Sequence, residues 1–295
     1  MNILIWNCRG SLNPNFRSIV NGMVNSYSPT IMIISETKTS GKRAKGIADR
    51  LPLDVAIFAN TIGLAGGLWL LWDSTQVDIV EVSSTEQEIH VVVILSYSNN
   101  PWLLFAIYAS PRYVERHLLW ENLEAVSGLH SLPWVITGDF NGVLMGEDKF
   151  GGRPININKA LQCQECLDAC RMIEIGYSGP RYIWSNNRPF TGLIQERIDR
   201  VFVNADRNGR YLEAYVRHLE RSHSDRCLVL LSMARNQGIT LPHPFRFQPM
   251  WLSHSSFLAV VRDAWMSPTI LSHAISNFET KAKEWNKNVF RNLFY

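Results

Sequence analysis

The chain is predicted to adopt an α/β fold, and three features of its sequence carry that expectation. Short apolar runs of strand type end abruptly at polar tips: Ile3 to Trp6 at Asn7, Ile31 to Ile34 at Ser35-Glu36-Thr37, and Trp134 to Ile136 at Gly138-Asp139-Phe140-Asn141-Gly142. Between such runs lie apolar residues at helical spacing, as in Phe16, Ile19, Val20, Met23, Val24 and Tyr27. The stretch from Gly67 to Ala109 reads as successive strands rich in β-branched and aromatic residues, broken by Gly, Asp, Ser and Asn. With 295 residues, 46% of them hydrophobic, the chain is long enough for a sizeable core in one large domain or two smaller ones.

Taken in order, Ile3 to Trp6 is apolar on both faces, as in a strand covered on each side. Pro14 suits the first turn of the helix that follows, and Ile31 to Ile34 is the next strand, with Glu36 at its tip. A weaker helix around Gly41 to Leu51 leads to a strand at Val55 to Ala59. Gly63 to Gly67 lacks the GK[ST] of a phosphate loop and reads as a turn. Strands are then expected at Gly67 to Trp72, Val77 to Val82, Ile89 to Tyr97 and Trp102 to Ala109. A helix from Pro111 to about Leu129 precedes the Trp134 to Ile136 strand, and Lys149 to Arg153 is a Gly-rich loop.

The helix around Asn158 to Met172 carries Cys163, Cys166, Leu167 and Cys170 at helical spacing. Three soft ligands suggest a metal, but no fourth is near, and cysteine is a small hydrophobe that favours buried faces, so the core reading is preferred. Gly176 to Ser185 interleaves Tyr177, Tyr182 and Trp184 with Gly, Pro and Ser and runs into Asn186-Asn187-Arg188-Pro189. Such a segment either stacks bases and contacts phosphates or pins a loop to the core. Further strands are read at Arg200 to Val203, preceded by Arg197-Ile198-Asp199, and at Cys227 to Leu231, preceded by Ser222-His223-Ser224-Asp225-Arg226. Residues 235–244, with Pro242 and Pro244, read as a linker between a domain of 1–234 and a helical tail of 245–295. In the tail, Ser253 is expected to cap a helix carrying Phe257, Val261 and Trp265, and Pro268 to start another carrying Ile270, Ala274, Phe278, Trp285 and Val289.

A net charge of +3 permits a nucleic-acid partner without demanding one. Five cysteines, an odd number, and the lack of a signal-peptide pattern favour an intracellular setting, nuclear or cytoplasmic, and no apolar run approaches membrane length.

In their order along the chain, WNCRG, SETK, YASPR, GDFN, ERIDRVFVN and SHSDR resemble the endonuclease/exonuclease/phosphatase superfamily, and specifically the endonuclease of plant non-LTR (LINE-type) retrotransposons. The resemblance covers roughly the first four fifths of the chain. The tail from PFRFQPMW onward is similar to the connector that precedes the reverse transcriptase in such elements. This implies a four-layer sandwich, two packed mixed sheets with helices outside, followed by a short helical tail. Without the polymerase as neighbour, the apolar stripes of the tail pack on the nuclease, self-associate, contact another protein or stay loosely ordered.

The resemblance also implies a site. Hydrolysis of a phosphodiester needs a nucleophilic water, neutralisation of charge on the phosphoryl oxygens and stabilisation of the leaving oxygen. Glu36 is the first candidate ligand for Mg2+, with Mn2+ as the alternative, and Asn7 supports metal and phosphate. Asp139 positions or deprotonates the water, Asn141 donates to a phosphoryl oxygen, and Tyr108 aims its hydroxyl at the scissile phosphate. Asp199 orients a catalytic group or contacts metal, and Arg112, Trp184, Asn186 and Arg188 face DNA, with RNA as the alternative partner. The bland readings are an Asx-turn for Asp139 and Asn141, a salt-bridged strand end for Asp199 between its arginines, a buried aromatic for Tyr108 and a solvated strand end for Glu36.

One position departs from the pattern. The superfamily's last motif is serine, aspartate, histidine, and here Ser224 and Asp225 are followed by Arg226. A guanidinium stays protonated and has no acceptor lone pair, so it neither takes nor relays a proton, although it can offer charge to a phosphate. Asp225 is expected to pair with it. His223 lies near in sequence but is displaced from the histidine position by three residues. The sequence therefore predicts a metal-dependent DNA-nicking endonuclease with impaired turnover. The alternatives are a nucleic-acid-binding module without turnover and a small-molecule or lipid phosphoesterase.

Overall fold

The computed structural model describes residues 1–59, 61, 66–96, 98–204, 214–221, 225–233, 254–266 and 271–289. Two compact units divide the chain, Met1–Arg235 and Asn236–Tyr295.

Two large mixed sheets make up the first unit. The seven-stranded sheet runs in the order β11 (Tyr177–Ser178), β15 (Tyr215–His218), β16 (Val229–Ser232), β1 (Asn2–Asn7), β2 (Ile31–Ser35), β4 (Leu68–Trp72) and β3 (Val55–Ala59). The six-stranded sheet runs β10 (Met172–Glu174), β14 (Asp199–Asn204), β8 (Trp134–Asp139), β7 (Ser98–Tyr108), β6 (Glu88–Leu95) and β5 (Val77–Ser84). Parallel pairs, β1 with β2 and β7 with β8, lie at the centres, where strands are apolar on both faces.

Alternation along the strands builds the layers. Ile3, Ile5, Ile31 and Ile33 pack with Val91, Leu104, Ala106 and Val135 in the core between the sheets. The intervening residues Leu4, Trp6, Met32 and Ile34 face the other way, onto Phe16, Val20 and Met23 of α1 (Phe16–Tyr27) and Ala44 and Ala48 of α2 (Gly41–Ala48). On the far side of the second sheet, Leu103, Phe105 and Ile136 pack on Leu119 and Leu123 of α3 (Tyr113–Ser127) and on Cys163, Cys166 and Leu167 of α4 (Ile157–Ala169). The result is the expected sandwich of two sheets between helices, and the cysteines of α4 lie in its core.

Several expectations shift. Pro14 precedes the N-cap Asn15 of α1 instead of lying in its first turn. Pro111 likewise lies outside α3, whose N-cap is Arg112 in extended conformation. The fourth helix stops at Ala169, because Arg171 turns left-handed at φ 52 and sends Met172 into β10. The Gly-rich and aromatic segments, read as loops, form a small third sheet of β12 (Trp184–Ser185), β13 (Gln195–Glu196) and β9 (Lys149–Phe150). The short strands β11, at the sheet edge, and β15, beside it, have too few residues for periodicity to show. The turn at residues 62–65, the linker at 235–244, Trp251, Ser253 and Pro268 lie outside the described residues.

In the second unit, α5 (Phe257–Trp265) and α6 (Leu271–Val289) pack on each other around Phe257, whose ring lies 4.9 Å from that of Trp285 and 6.2 Å from that of Phe278. Part of the apolar load of the tail is thus met within the tail itself. Leu258, Trp265 and Met266 are exposed.

Candidate active site

The two sheets bring the expected polar tips together at one edge. Asn7 ends β1 beside Ser35 at the end of β2, which hands on to Glu36. Tyr108 and Asp139 are partners at the ends of the parallel strands β7 and β8, and Asp199 opens β14 directly opposite Asp139. An amide closes the gap between sheets: Asn7 Nδ2 donates to Glu36 Oε1 at 2.7 Å and to Asp139 Oδ2 at 3.0 Å.

Backbone geometry fixes these tips. Glu36 and Asn141 are left-handed, at φ 53 and φ 45, which turns each chain sharply away from its strand. Gly138, at φ 140, lies so close to β7 that a Cβ there would stand 2.0 Å from the Ile107 carbonyl oxygen. Asp139 also forms the Asx-turn, since its Oδ1 accepts the Asn141 backbone N–H at 2.9 Å, while Oδ2 faces Asn7. The Asx-turn reading of the GDFN segment therefore holds for Oδ1, while Oδ2 is turned toward the neighbouring strand tips. The Asn141 side chain donates to the Ala109 carbonyl at 2.7 Å. Buried Arg116, on α3, donates to the Phe140 and Asn141 carbonyls and holds the turn from below.

Arg226 lies among the carboxylates. Its Nη2 is 2.9 Å from Asp139 Oδ2 and 3.5 Å from Glu36 Oε1, and its Nη1 is 3.2 Å from Asp199 Oδ2. The expected pairing with Asp225 gives way to this arrangement. Asp225 Oδ2 instead takes Arg9 at 2.6 Å and the Trp184 indole N–H at 2.7 Å. Successive side chains on extended backbone point to opposite sides, so neighbours in sequence need not meet. Nor do the arginines flanking Asp199 pair with it: Arg197 and Arg200 bind Asp148 and Glu174 in a separate buried network.

Burial dominates the electrostatics. Asp139 is 0% exposed, and burial pushes its carboxyl above the usual range against the pull of Arg226 and the hydrogen bonds from Asn141 and Asn7. Asp199 is pushed up to about 7, first by burial and then by Asp139, with Arg226 opposing. Burial alone would lower Arg226, but Asp139, Asp199 and Glu36 outweigh it and hold the guanidinium protonated more firmly than usual. The Tyr108 hydroxyl is raised by burial and by Glu36 and Asp139, which keeps it a neutral donor.

Glu36, Tyr108 and Arg226 line a cleft of about 440 Å³ together with Arg9, Lys38, Asn141, Trp184 and Glu196, whereas Asn7, Asp139 and Asp199 are buried and do not line it. Of the residues expected to face nucleic acid, Trp184 lines this cleft. Arg112 is exposed and paired with Glu115 at 3.0 Å. Asn186 braces its own loop, donating to the Gly192 carbonyl and accepting from the Ile194 and Arg188 backbone N–H groups, and Arg188 is exposed on that loop. Ser224 and His223 lie outside the described residues. Arg9 and Lys38 were legible as members of WNCRG and SETK, whereas Arg116 carries no sequence signal beyond its place on a helix.

A two-sheet sandwich whose central strands end in an Asn, Glu and Asp cluster defines a phosphoesterase-type scaffold. The Endonuclease/Exonuclease/phosphatase family profile matches residues 4–219, and the chain belongs to that family. Among solved structures it is similar to the endonuclease domain of TRAS1, a telomere-specific non-LTR retrotransposon, with a TM-score of 0.60 and 15% identity over 80% of this chain and 99% of that one. It is similar too to the AP endonuclease LMAP of Leishmania major, at 0.61 and 13% over 78% and 86%, and to the 3'-5' exonuclease NExo of Neisseria meningitidis, at 0.61 and 16% over 79% and 100%. At these identities the likeness concerns the fold. No curated protein sequence matches the chain.

Members of this family use divalent metals, and the donors present are of the right kind: hard carboxylate and amide oxygens. Their arrangement does not fit an ion. Asn7 turns its N–H donors to the carboxylates, and a guanidinium lies within 3.5 Å of all three acids.

Proposed function

We propose that the protein acts on nucleic-acid phosphodiesters, as a DNA-nicking endonuclease of retrotransposon type whose turnover is impaired by Arg226, with RNA as the alternative substrate. One observation carries this reading: Asn7, Glu36, Asp139 and Asp199, at strand ends of both sheets, are joined through one amide and one guanidinium, and Glu36, Tyr108, Asn141 and Arg226 line one cleft together with Trp184.

The chain's own groups divide the work. Trp184 and Arg9 face a polynucleotide at the mouth, the first by stacking and the second by charge. Neutral Tyr108 donates to a phosphoryl oxygen. Asp139 is the water-orienting group, but both its oxygens already accept hydrogen bonds, Oδ1 from Asn141 and Oδ2 from Asn7 and Arg226, which leaves it poorly placed to receive a proton. Glu36 and Asn7 are the residues that would hold Mg2+ or Mn2+, which in such sites neutralises charge on the phosphoryl group, once Arg226 is withdrawn.

The three ion pairs of Arg226 favour a second reading, a nucleic-acid-binding module without turnover. Incubation of supercoiled plasmid with Mg2+ or Mn2+, with Glu36→Ala as control, separates the two. Relaxation by the wild type alone means enzyme. A gel shift without nicking by either protein means binding module.

A further inference from the structure

We propose that Arg226 is the resident cation of this site: its side chain fills the position between Glu36, Asp139 and Asp199, and the folded protein has no divalent-ion site there while that side chain is in place. The inference rests on the reading of these acids as the phosphodiester site.

Two oxygen atoms decide the matter. Glu36 Oε1 and Asp139 Oδ2 are the pair that a shared ion would bridge, and each is already approached by the same two donors, Asn7 Nδ2 and Arg226 Nη2. An ion of Mg2+ type needs oxygen lone pairs aimed at it from about 2.1 Å. Here those lone pairs are aimed at nitrogen. Orientation of the Asn7 amide is itself determined by its neighbours: with carboxylates at 2.7 and 3.0 Å only the N–H₂ end is compatible, and its Oδ1 accepts from the Arg9 backbone. The amide therefore becomes a metal ligand only by turning over, after the carboxylates have lost the donor they now share.

Charge leads to the same result. Guanidinium is permanently cationic, and a divalent ion entering beside it would meet like charge in a buried setting with little screening. Nor is the arginine free to drift away. Its backbone forms a bridge with Trp184, the neighbouring Cys227 N–H donates to the Ile183 carbonyl at 2.8 Å, and Asp225 is tied to Arg9 and the Trp184 indole. Withdrawal of the side chain would have to break its ion pairs with Asp139, Asp199 and Glu36 together.

The test is a Mn2+ titration of the full chain followed by electron paramagnetic resonance, where bound ion loses the free-ion signal. Wild type is expected to leave Mn2+ free into the millimolar range, and Arg226→Ala to take up one ion per chain, lost again in Arg226→Ala/Glu36→Gln. Binding of one ion by the wild type that disappears in Glu36→Gln overturns the proposal, as does a folded Arg226→Ala that binds none. Should Arg226→Ala not fold, thermal unfolding of wild type with Mn2+ against EDTA decides: an ion-dependent rise in Tm that Glu36→Gln abolishes overturns it, and an unchanged Tm supports it. Nucleic acid is absent throughout, so failure to bind or nick DNA would sink the proposed function and leave this result standing.

Discussion

Asp139 and Asp199 stand directly opposite each other on neighbouring antiparallel strands, and a single guanidinium, that of Arg226, meets both, at 2.9 and 3.2 Å. Like charges in such a pair are destabilising, and here both are buried. The fold tolerates them because Arg226 supplies one positive charge and Asp199, raised to about 7, is partly protonated near neutrality.

This arrangement gives stability a definite pH dependence. The folded state holds a proton on Asp199 up to about 7, whereas an unfolded Asp releases it near about 4. Between those values the folded state binds more protons, so stability falls as pH rises, and Asp139, shifted in the same direction, adds to the fall. His218 acts oppositely: burial against Tyr177 lowers it to about 4, so from about 6.5 downward the unfolded state takes a proton that the folded state refuses. The contributions oppose each other between about 4 and about 6.5, leaving the fall due to the acids near neutral pH. Urea unfolding across this range should show Asp199→Asn gaining stability relative to wild type as pH rises, by up to ~1.4 kcal/mol per pH unit. Parallel profiles for the two proteins would remove Asp199 from the account.

The GDFN turn depends on a residue with no side chain. A Cβ on Gly138 would lie 2.0 Å from the Ile107 carbonyl oxygen, and φ 140 is unfavourable for any L residue. Backbone of a central strand cannot give way cheaply, so Gly138→Ala is expected to destabilise by more than about 3 kcal/mol. A chemical denaturation midpoint equal to that of wild type would mean that β7 and β8 are less closely apposed than described.

Much of this site was legible because strand tips are local events. An apolar run that stops at Asn7, Glu36 or Asp139 shows its polar end in the sequence itself. Which tips meet is not local: the facing of Asp139 and Asp199 depends on register between segments far apart in the chain. The direction of Arg226 is hidden for a related reason: Asp225 is its neighbour in sequence, while the acids it meets are Glu36 just beyond β2, Asp139 at the end of β8 and Asp199 at the start of β14. Strands of two residues, such as β12 and β13, are too short for alternation to register, so a small sheet read as loop.

Removal of residues 236 onward should leave the first unit folded. Among the described residues, the first unit has its own three core clusters between its sheets and helices, and the second has a cluster around Phe257 and Trp285. The shortened chain is also expected to be more soluble, having lost exposed Leu258, Trp265 and Met266. Circular dichroism with urea titration tests this, and loss of a cooperative transition would show that the units are not independent.

Replacement of Arg226 by histidine is expected to raise nicking activity at a cost in stability. A positioned acid/base contributes typically ~10²–10⁴-fold, equivalent to roughly 3–5 kcal/mol of barrier. Imidazole can carry that proton, and guanidinium cannot. The same change removes a buried cation from Asp139, Asp199 and Glu36, and loss of one partner from a buried ion pair costs about 3–5 kcal/mol, reduced here to the extent that Asp199 takes up a proton. Activity and stability should therefore move in opposite directions, with wild type the more stable and slower protein. Its affinity for DNA should equal or exceed that of Arg226→His, because the guanidinium adds positive charge beside the cleft. Plasmid nicking under saturating Mg2+, read alongside Tm, separates this from a structural role. Equal nicking rates would return the proton transfer to Asp139 or to His223, whereas a less stable variant with no gain in rate would leave Arg226 as a structural cation alone.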